Sequence, residues 1–171
     1  MERKGAVKMK GNAMTLVGPE LKTGDKAPEF ELLDNELKPV HLSDSAGRVR
    51  FISVVPSLDT PVCSTQTDKF NKEMGTFGDK VQSYTVSADL PFAQARFCGE
   101  HKIDNMKTLS DHKEMSFGQA FGLMIKELRL LARAVVIVDA DDTIAYFQLV
   151  PEATDEPDYG DALKALKKLV G

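Results

Sequence analysis

Two cysteines are the residues of this 171-residue chain best suited to chemistry, and the first lies in an informative context. Cys63 ends the segment PSLDTPVC at residues 56–63, which follows a mostly apolar run at 49–55. That run is typical of a buried central strand. Beyond the cysteine, Phe70, Met74 and Phe77 recur at helical spacing. The sequence therefore predicts a strand, a tight turn and a helix with a cysteine in its first turn.

The predicted start of this helix favours a reactive thiol. Thr60 is a suitable N-cap, because its hydroxyl can accept a hydrogen bond from a free backbone N–H of the first turn. Pro61 suits the first helical position and disfavours helical dihedrals at Thr60. Cys63 then lies at the positive end of the helix dipole, where a thiol ionises more readily and becomes nucleophilic. A free cysteine is more often a small buried apolar residue, but this context favours a reactive role.

Three segments, in this order, resemble those of a known enzyme family. Pro56, Thr60 and Cys63 form the pattern Pro-x-x-x-Thr-x-x-Cys, which resembles the active-site signature of peroxiredoxins. The segment SADLPFAQARFC at 87–98 is similar to the resolving-cysteine segment of the thiol peroxidase (Tpx) subfamily, the atypical two-cysteine peroxiredoxins. The segment LARAV at 131–135 resembles the strand that supplies the family's active-site arginine. With the N-terminal hairpin and EPDY at 156–159, the resemblance covers nearly the whole chain.

The resemblance implies a thioredoxin-like α/β fold, with a central mixed β-sheet flanked by helices and an extra N-terminal β-hairpin. Periodicity alone would support only an α/β sandwich with helices on both faces. We expect a single domain over residues 1–171, with residues 1–18 as the hairpin extension. No internal repeat, low-complexity tract or domain linker is evident.

The resemblance also assigns roles to individual residues. Cys63 would attack the peroxide and Thr60 would orient it. Arg133 would stabilise the thiolate and the developing alkoxide, and Pro56 would shield the sulfur from water. Arg133 lies within an apolar run, where a charge requires a partner, and a thiolate is a suitable one. Cys98 would resolve the sulfenic acid of Cys63 as an intramolecular disulfide.

The same resemblance predicts the substrates and partners. Hydrogen peroxide and organic hydroperoxides would be reduced to water and alcohols, and thioredoxin would reduce the disulfide. No metal or organic cofactor is expected, and the protein would be a homodimer.

Composition narrows the classes of partner. The net charge of −4 and the pI near 5.4 argue against nucleic acid and anionic membrane surfaces. No stretch approaches the roughly 18 apolar residues that a membrane helix needs. The N-terminal MERKG has charges but no apolar region behind it, so we expect no secretory signal. The expected location is the cytoplasm, where two cysteines favour catalysis or metal binding over a permanent disulfide.

Strands are predicted along most of the chain. We expect an N-terminal hairpin from 7–10 and 14–17 around Gly11, and a short strand at 30–32. A second central strand is predicted at 81–88. A further hairpin, near a sheet edge, is predicted from 134–138 and 144–150.

Three more helices are predicted. One opens at Asp89, Leu90 and Pro91 and ends near Gly99, which is a suitable C-terminal cap. The second covers 113–123. The last covers 158–170 and buries Leu163, Leu166 and Leu169 on its apolar side.

Other functions remain as alternatives. A non-enzymatic redox sensor would pass the oxidation state of the two cysteines to a protein partner, and would lack turnover with a generic dithiol. An oxidoreductase acting on protein disulfides would reduce insulin without peroxide, but the spacing of 35 residues between the cysteines is not Cys-x-x-Cys. Cys98 and His101 could form half of a zinc site, although His41 and His112 are scattered.

Overall fold

The computed structural model describes all 171 residues and contains eleven strands and four α-helices. The strands are β1 Glu2–Met9, β2 Asn12–Val17, β3 Glu31–Leu33, β4 Pro39–His41, β5 Val49–Val54, β6 Val81–Ser87, β7 Lys107–Ser110, β8 Met124–Ile125, β9 Leu130–Leu131, β10 Ala134–Val138 and β11 Ile144–Leu149. The helices are α1 Pro61–Phe77, α2 Pro91–His101, α3 Ser116–Ala120 and α4 Tyr159–Val170.

A seven-stranded mixed sheet forms the centre of the molecule, in the order β11-β10-β5-β6-β7-β3-β4. Strands β5, β6 and β7 are parallel, and the other pairings are antiparallel. Ala134 at the start of β10 pairs with Val54 at the end of β5. The residue that precedes β10 therefore lies beside the loop that follows β5, which brings Arg133 to the segment leading to Cys63.

The two faces of this sheet bury separate apolar clusters, because successive strand residues point to opposite sides. On one face, Phe51 and Val135 pack with α1, the end of α2 and α4. On the other, Ile52 and Val136 pack with α3 and the N-terminal strands. Helices thus flank the sheet on both sides, as the sequence predicts.

The predicted N-terminal hairpin is present and belongs to a second sheet, in the order β1-β2-β8-β9. Lys10 and Gly11 connect its strands with φ of 51° and 81°, as a two-residue hairpin turn with positive φ at both positions requires. The sequence does not indicate β8 and β9. Their addition means that the hairpin is not an isolated ribbon but one half of a four-stranded sheet.

The hairpin also bonds to the segment between β11 and α4. The Lys8 N–H donates to the Pro151 carbonyl at 2.8 Å, and the Ala153 N–H donates to the Lys8 carbonyl at 2.8 Å. Backbone N–H groups of Thr154, Gly11 and Lys10 donate to the Glu152 carboxylate, which holds its pKa at about 2. The N-terminus is therefore fixed to residues 151–154.

The expectation that α2 ends near Gly99 is wrong. The helix continues to His101 and ends at Lys102, which adopts φ 54°. The His101 ring stacks on Phe97, with centroids 4.0 Å apart, and its Nδ1 lies 3.2 Å from the Asp68 carboxylate on α1. These contacts favour the additional turn, so Gly99 lies inside the helix.

Two further helix predictions need correction. The helix expected over 113–123 is only the five-residue α3, because Met115 has φ 53° before it and Gly122 has φ 66° after it. In α4, Leu166 is buried and Leu163 half-buried as predicted, but Leu169 is 38% exposed. In the final turn of α4, Val170 rather than Leu169 packs against the apolar cluster.

Candidate active site

Cys63 lies in the first turn of α1, and its side chain is fully buried. Thr60 is the N-cap residue and Pro61 the first helical residue, both as predicted. Two donors point at the sulfur. The Arg133 Nη2 lies 3.2 Å from Sγ, and the backbone N–H of Ser57 lies 3.5 Å from it. Both donors favour a negatively charged sulfur.

Arg133 occupies the two-residue link between β9 and β10, and it is only 2% exposed. Its Nε donates to the Ala153 carbonyl at 2.9 Å, and its Nη1 donates to Gln66 Oε1 at 2.9 Å. The third nitrogen, Nη2, faces Cys63. A buried guanidinium needs a partner for each of its edges, and the only one of these partners that can be an anion is the Cys63 sulfur.

Gln66 and Ser53 belong to this site, although neither is among the site residues predicted from the sequence. Gln66 is fully buried on α1, three residues after Cys63, and its Nε2 donates to Ser53 Oγ on β5 at 2.8 Å. One signal was available. A glutamine on the apolar face of a helix, opposite a serine within an apolar strand, indicates a buried polar network.

The Thr60 hydroxyl does not make the predicted cap. It donates to the Ser57 carbonyl at 3.0 Å, whereas the side chain makes no hydrogen bond to a first-turn N–H. The Thr60 hydroxyl makes no hydrogen bond to Cys63 either. The sulfur accepts hydrogen bonds from Arg133 and from the Ser57 N–H. Thr60 instead tightens the turn that brings the Ser57 N–H to the sulfur.

A pocket of about 480 Å³ opens in front of this turn. Pro56, Thr60 and Arg133 are among the residues that line it. The apolar lining comes in part from the four-stranded sheet, because Met9 ends β1 and Leu128 and Leu130 lie at the β8–β9 turn. The lining of the pocket therefore combines apolar side chains with the Arg133 cation.

Cys98 lies apart from this group, in the last two turns of α2. It is half-buried, and its Sγ lies 3.3 Å from the Thr108 hydroxyl, which in turn donates to Asn35 Oδ1 at 2.9 Å. Cys98 lines a different pocket, of about 530 Å³, to which Cys63 does not contribute. Both cysteines are free thiols. The structure thus brings together Cys63, Arg133, Thr60 and Pro56, but not Cys98.

The segment EPDY at 156–159 packs against α1 near this site. The Tyr159 hydroxyl donates to Glu156 Oε1 at 2.7 Å, and Lys69 on α1 contacts both residues. The hydrogen bond from Tyr159 lowers the pKa of Glu156, while burial and this bond raise the pKa of Tyr159. The ring of Tyr159 packs on Phe70, with centroids 5.1 Å apart. These contacts fix the start of α4 to the helix that carries Cys63.

The alternative of a zinc site at Cys98 and His101 gains no support. His101 contacts Asp68 rather than Cys98, and no group of three or more His, Cys, Asp or Glu side chains is arranged to hold a metal ion.

The four helices also lack the length and apolar content that a membrane-spanning helix requires.

Comparison with known proteins decides the family. Residues 22–163 match the Redoxin family. The thiol peroxidase of Halalkalibacterium halodurans is 55% identical over 162 residues, which cover 95% of this chain and 97% of that protein. The thiol peroxidase of Bacillus subtilis is 53% identical, covering 96% and 98% of the two chains. This chain belongs to the thiol peroxidase family of peroxiredoxins.

Solved structures confirm the fold of this peroxiredoxin. A peroxiredoxin-like protein from Aquifex aeolicus superposes with a TM-score of 0.91 at 42% identity, covering 98% of this chain and 99% of that one. A thiol peroxidase from Chromobacterium violaceum, at 19% identity, shares the fold with a TM-score of 0.83 over 95% of both chains. The predicted thioredoxin-like fold with its N-terminal hairpin is confirmed, and the chain is a peroxidase enzyme.

Proposed function

We propose that this peroxiredoxin reduces hydrogen peroxide and organic hydroperoxides, with Cys63 as the nucleophile and Cys98 as the resolving thiol. The observation that carries the proposal is the 3.2 Å contact between Arg133 Nη2 and Cys63 Sγ. A buried guanidinium beside a sulfur stabilises a thiolate and an oxyanion formed next to it. The apolar wall of the neighbouring pocket suits the organic part of a hydroperoxide.

In the first step, the Cys63 thiolate attacks the terminal oxygen of the hydroperoxide. The sulfur–oxygen bond forms while the oxygen–oxygen bond breaks, and its electron pair leaves on the alkoxide, or on hydroxide from hydrogen peroxide. That anion takes a proton to give the alcohol or water, and Cys63 remains as a sulfenic acid. Arg133 stabilises the charge as it moves from sulfur to oxygen, Thr60 orients the peroxide at the pocket, and Pro56 limits the access of water.

In the second step, the Cys98 thiolate attacks the Cys63 sulfur. The disulfide forms, the sulfur–oxygen bond breaks, and the departing hydroxide becomes water with the proton that Cys98 lost. Thioredoxin then supplies two electrons and two protons through its dithiol, and this restores both thiols. No metal or organic cofactor enters any step.

The second step requires movement, because a disulfide needs its two Cα atoms within roughly 7 Å. In the reduced structure each cysteine has separate partners, namely Arg133 for Cys63 and Thr108 for Cys98. We infer that the end of α2 detaches so that Cys98 can reach Cys63.

The proposal includes a homodimer, with residues 1–171 of each chain as one domain, working in the cytoplasm. Three exposed apolar side chains support the dimer: Leu90 and Phe92 at the start of α2 are 53% and 67% exposed, and Leu128 at the pocket is 42% exposed. A compartment in which thioredoxin keeps thiols reduced suits two cysteines that must cycle.

Peroxide consumption with thioredoxin and its reductase tests the assignment of the two cysteines. Cys63→Ser should abolish turnover. Cys98→Ser should keep the first oxidation, with one peroxide consumed per chain, and lose recycling by thioredoxin. The proposal is wrong if Cys98→Ser blocks the initial oxidation as completely as Cys63→Ser. If the wild-type protein is oxidised once and is not turned over with a dithiol, it is a redox sensor. If it reduces insulin in the absence of peroxide, it is a disulfide oxidoreductase.

A further inference from the structure

The carboxylate of Asp89 joins the turn before Cys63 to the segment that precedes α2. Its Oδ1 accepts a hydrogen bond from the Ser57 hydroxyl at 2.7 Å. Its Oδ2 accepts from the Leu58 backbone N–H at 2.8 Å and from the Ser87 hydroxyl at 2.7 Å. Hydrogen bonds to a carboxylate are about twice as strong as those between neutral groups. The Asp89 carboxylate therefore connects this turn to the segment before α2 through strong hydrogen bonds.

Ser57 links Asp89 to the Cys63 sulfur through hydrogen bonds. Its hydroxyl is held by Asp89, and its carbonyl accepts from the Thr60 hydroxyl and from the Thr60 N–H. With both groups fixed, the Ser57 N–H is directed at Cys63 Sγ, 3.5 Å away. Asp89 does not contact Cys63, and so it acts on the sulfur through Ser57.

Asp89 also lies two residues before Pro91, where α2 begins. Its backbone carbonyl accepts from the Ser110 hydroxyl on β7. Ser87, which donates to Asp89, accepts from Gln94 on the first turns of α2. The start of α2 is thus connected through Asp89 to the turn that holds the reduced Cys63.

We propose that Asp89 is a positioning residue that couples the two steps of the reaction. This inference rests on the proposed roles of Cys63 and Cys98. With Asp89 in place, the turn is ordered for peroxide attack and α2 is held closed. Once α2 opens for the disulfide, this connection is weakened and the turn loses its alignment. One carboxylate therefore promotes the first step and opposes the second.

The two effects have opposite signs, which distinguishes coupling from general loss of stability. Asp89→Asn keeps the size of the side chain but removes its charge and places an N–H₂ group where donors converge. We expect sulfenic acid formation to slow by about tenfold, the loss expected for a charged hydrogen bond at the low end of its range. Disulfide formation should become several-fold faster, because α2 opens more readily.

Rapid quenching with an alkylating reagent, followed by the intact mass of the chain, measures both steps. The Cys98→Ser background isolates sulfenic acid formation, and the chain with both cysteines reports disulfide formation. Asp141→Asn is the matched control, because this exposed residue in the β10–β11 turn has the same change in charge and lies away from the site. The control should leave both rates unchanged.

Ser57→Ala is the second variant, because it removes one of the three bonds and leaves Asp89 in place. It should shift both rates in the same directions but less, and the double variant should resemble Asp89→Asn alone. Unchanged rates in a folded Asp89→Asn protein, or two rates that fall together, would overturn the inference. If Asp89→Asn does not fold, unchanged rates in Ser57→Ala overturn it. Peroxide turnover by Cys63→Ser would instead refute the proposed function itself.

Discussion

At the scale of single residues, the donors that face Cys63 Sγ are held in fixed positions. The Arg133 guanidinium is fixed on two edges by Ala153 and Gln66, and only its third edge faces the sulfur. Such a donor is in position before the oxyanion forms, so no reorganisation is needed during the reaction. Arg133 should therefore affect the rate of attack more than the affinity for peroxide.

Replacing Arg133 with methionine tests this role. Arg133→Met should slow the oxidation of Cys63 by at least about tenfold, because a lost charged hydrogen bond is worth roughly 1.5–3 kcal/mol. The pH–rate profile of the attack should also move to higher pH, since the cation that favours the thiolate is gone. Stopped-flow competition with a second peroxidase measures both quantities.

Arg48→Met provides the control for this experiment. Arg48 precedes β5 and bonds to Gln82 and to the Asp79 carbonyl at the opposite end of the strand from Pro56. The Arg48→Met substitution removes the same charge but changes no contact of the Cys63 site. The rate of Cys63 oxidation and its pH profile should therefore match those of the wild type. An Arg133→Met enzyme with the wild-type rate and pH profile would show that Arg133 is only structural.

The sequence identifies charged and reactive members of the candidate site better than neutral ones. Cys63 and Arg133 are conspicuous because a thiol at a helix start and a charge in an apolar run each require an explanation. Gln66 gives a weaker signal, because a glutamine on the apolar face of a helix indicates a buried polar partner but does not identify Ser53 on β5 as that partner. The bond of the Thr60 hydroxyl was also beyond prediction, because a helix N-cap has several acceptors within reach.

At the scale of elements, α2 is held at its C-terminal end by a few contacts. Cys98 contacts Thr108, and His101 contacts Phe97 and Asp68. An eleven-residue helix has little stability without such packing, so α2 should open at this end once these contacts are lost.

Hydrogen exchange on the reduced and disulfide forms tests the opening of α2. Amides of residues 92–99, or of the first turn at Cys63, should exchange faster in the disulfide form, because we infer that α2 opens to bring Cys98 to Cys63. Amides of α4, which carries neither cysteine, serve as the internal reference and should be unaffected. Equal protection of residues 92–99 and of the first turn in both forms would contradict the prediction.

Helices and strands are predicted correctly where the local apolar pattern and the tertiary packing favour the same structure. Strands β5 and β10 are mostly apolar runs and β6 alternates; nearly all of their residues are buried, and their bounds match within one residue. The end of α2 could not be predicted from Gly99, because the contact between His101 and Asp68 joins residues 33 positions apart. The short α3 depends on the backbone of Met115 and Gly122, which a periodic apolar pattern does not encode.

At the scale of the whole molecule, one buried carboxylate makes the stability of the fold depend on pH. Asp111 follows β7, is 2% exposed, and accepts hydrogen bonds from the N–H groups of Phe117 and Gly118 at the start of α3. Burial raises its pKa to about 6, and these hydrogen bonds only partly oppose that effect. Aspartate in an unfolded chain has a pKa near 3.9.

The folded protein therefore binds this proton more tightly than the unfolded chain does. Its contribution to the free energy of unfolding is fully present below about pH 4 and is lost as the pH rises through about 6. Relative to Asp111→Asn, the wild type should lose on the order of 2 kcal/mol between pH 4 and pH 7.

Urea unfolding of both proteins across this range provides the measurement. Asp141→Asn is again the control, and its difference from the wild type should stay nearly constant with pH. A difference between Asp111→Asn and the wild type that does not change with pH would show that Asp111 has an ordinary affinity for protons in the folded state.

The path of the hydrogen bonds from hairpin to arginine has a consequence for synthesis on the ribosome. Arg133 is held by the Ala153 carbonyl, and Ala153 is held by Lys8. The chain emerges from its N-terminus, so Cys63 leaves the exit tunnel long before Arg133 and Ala153 are made. Until then the first residues have no partner at 151–153, and the sulfur lacks its cation. On the proposed mechanism, Cys63 of a nascent chain therefore lacks the cation that stabilises its thiolate, and it becomes fully reactive towards peroxide only when synthesis is nearly complete.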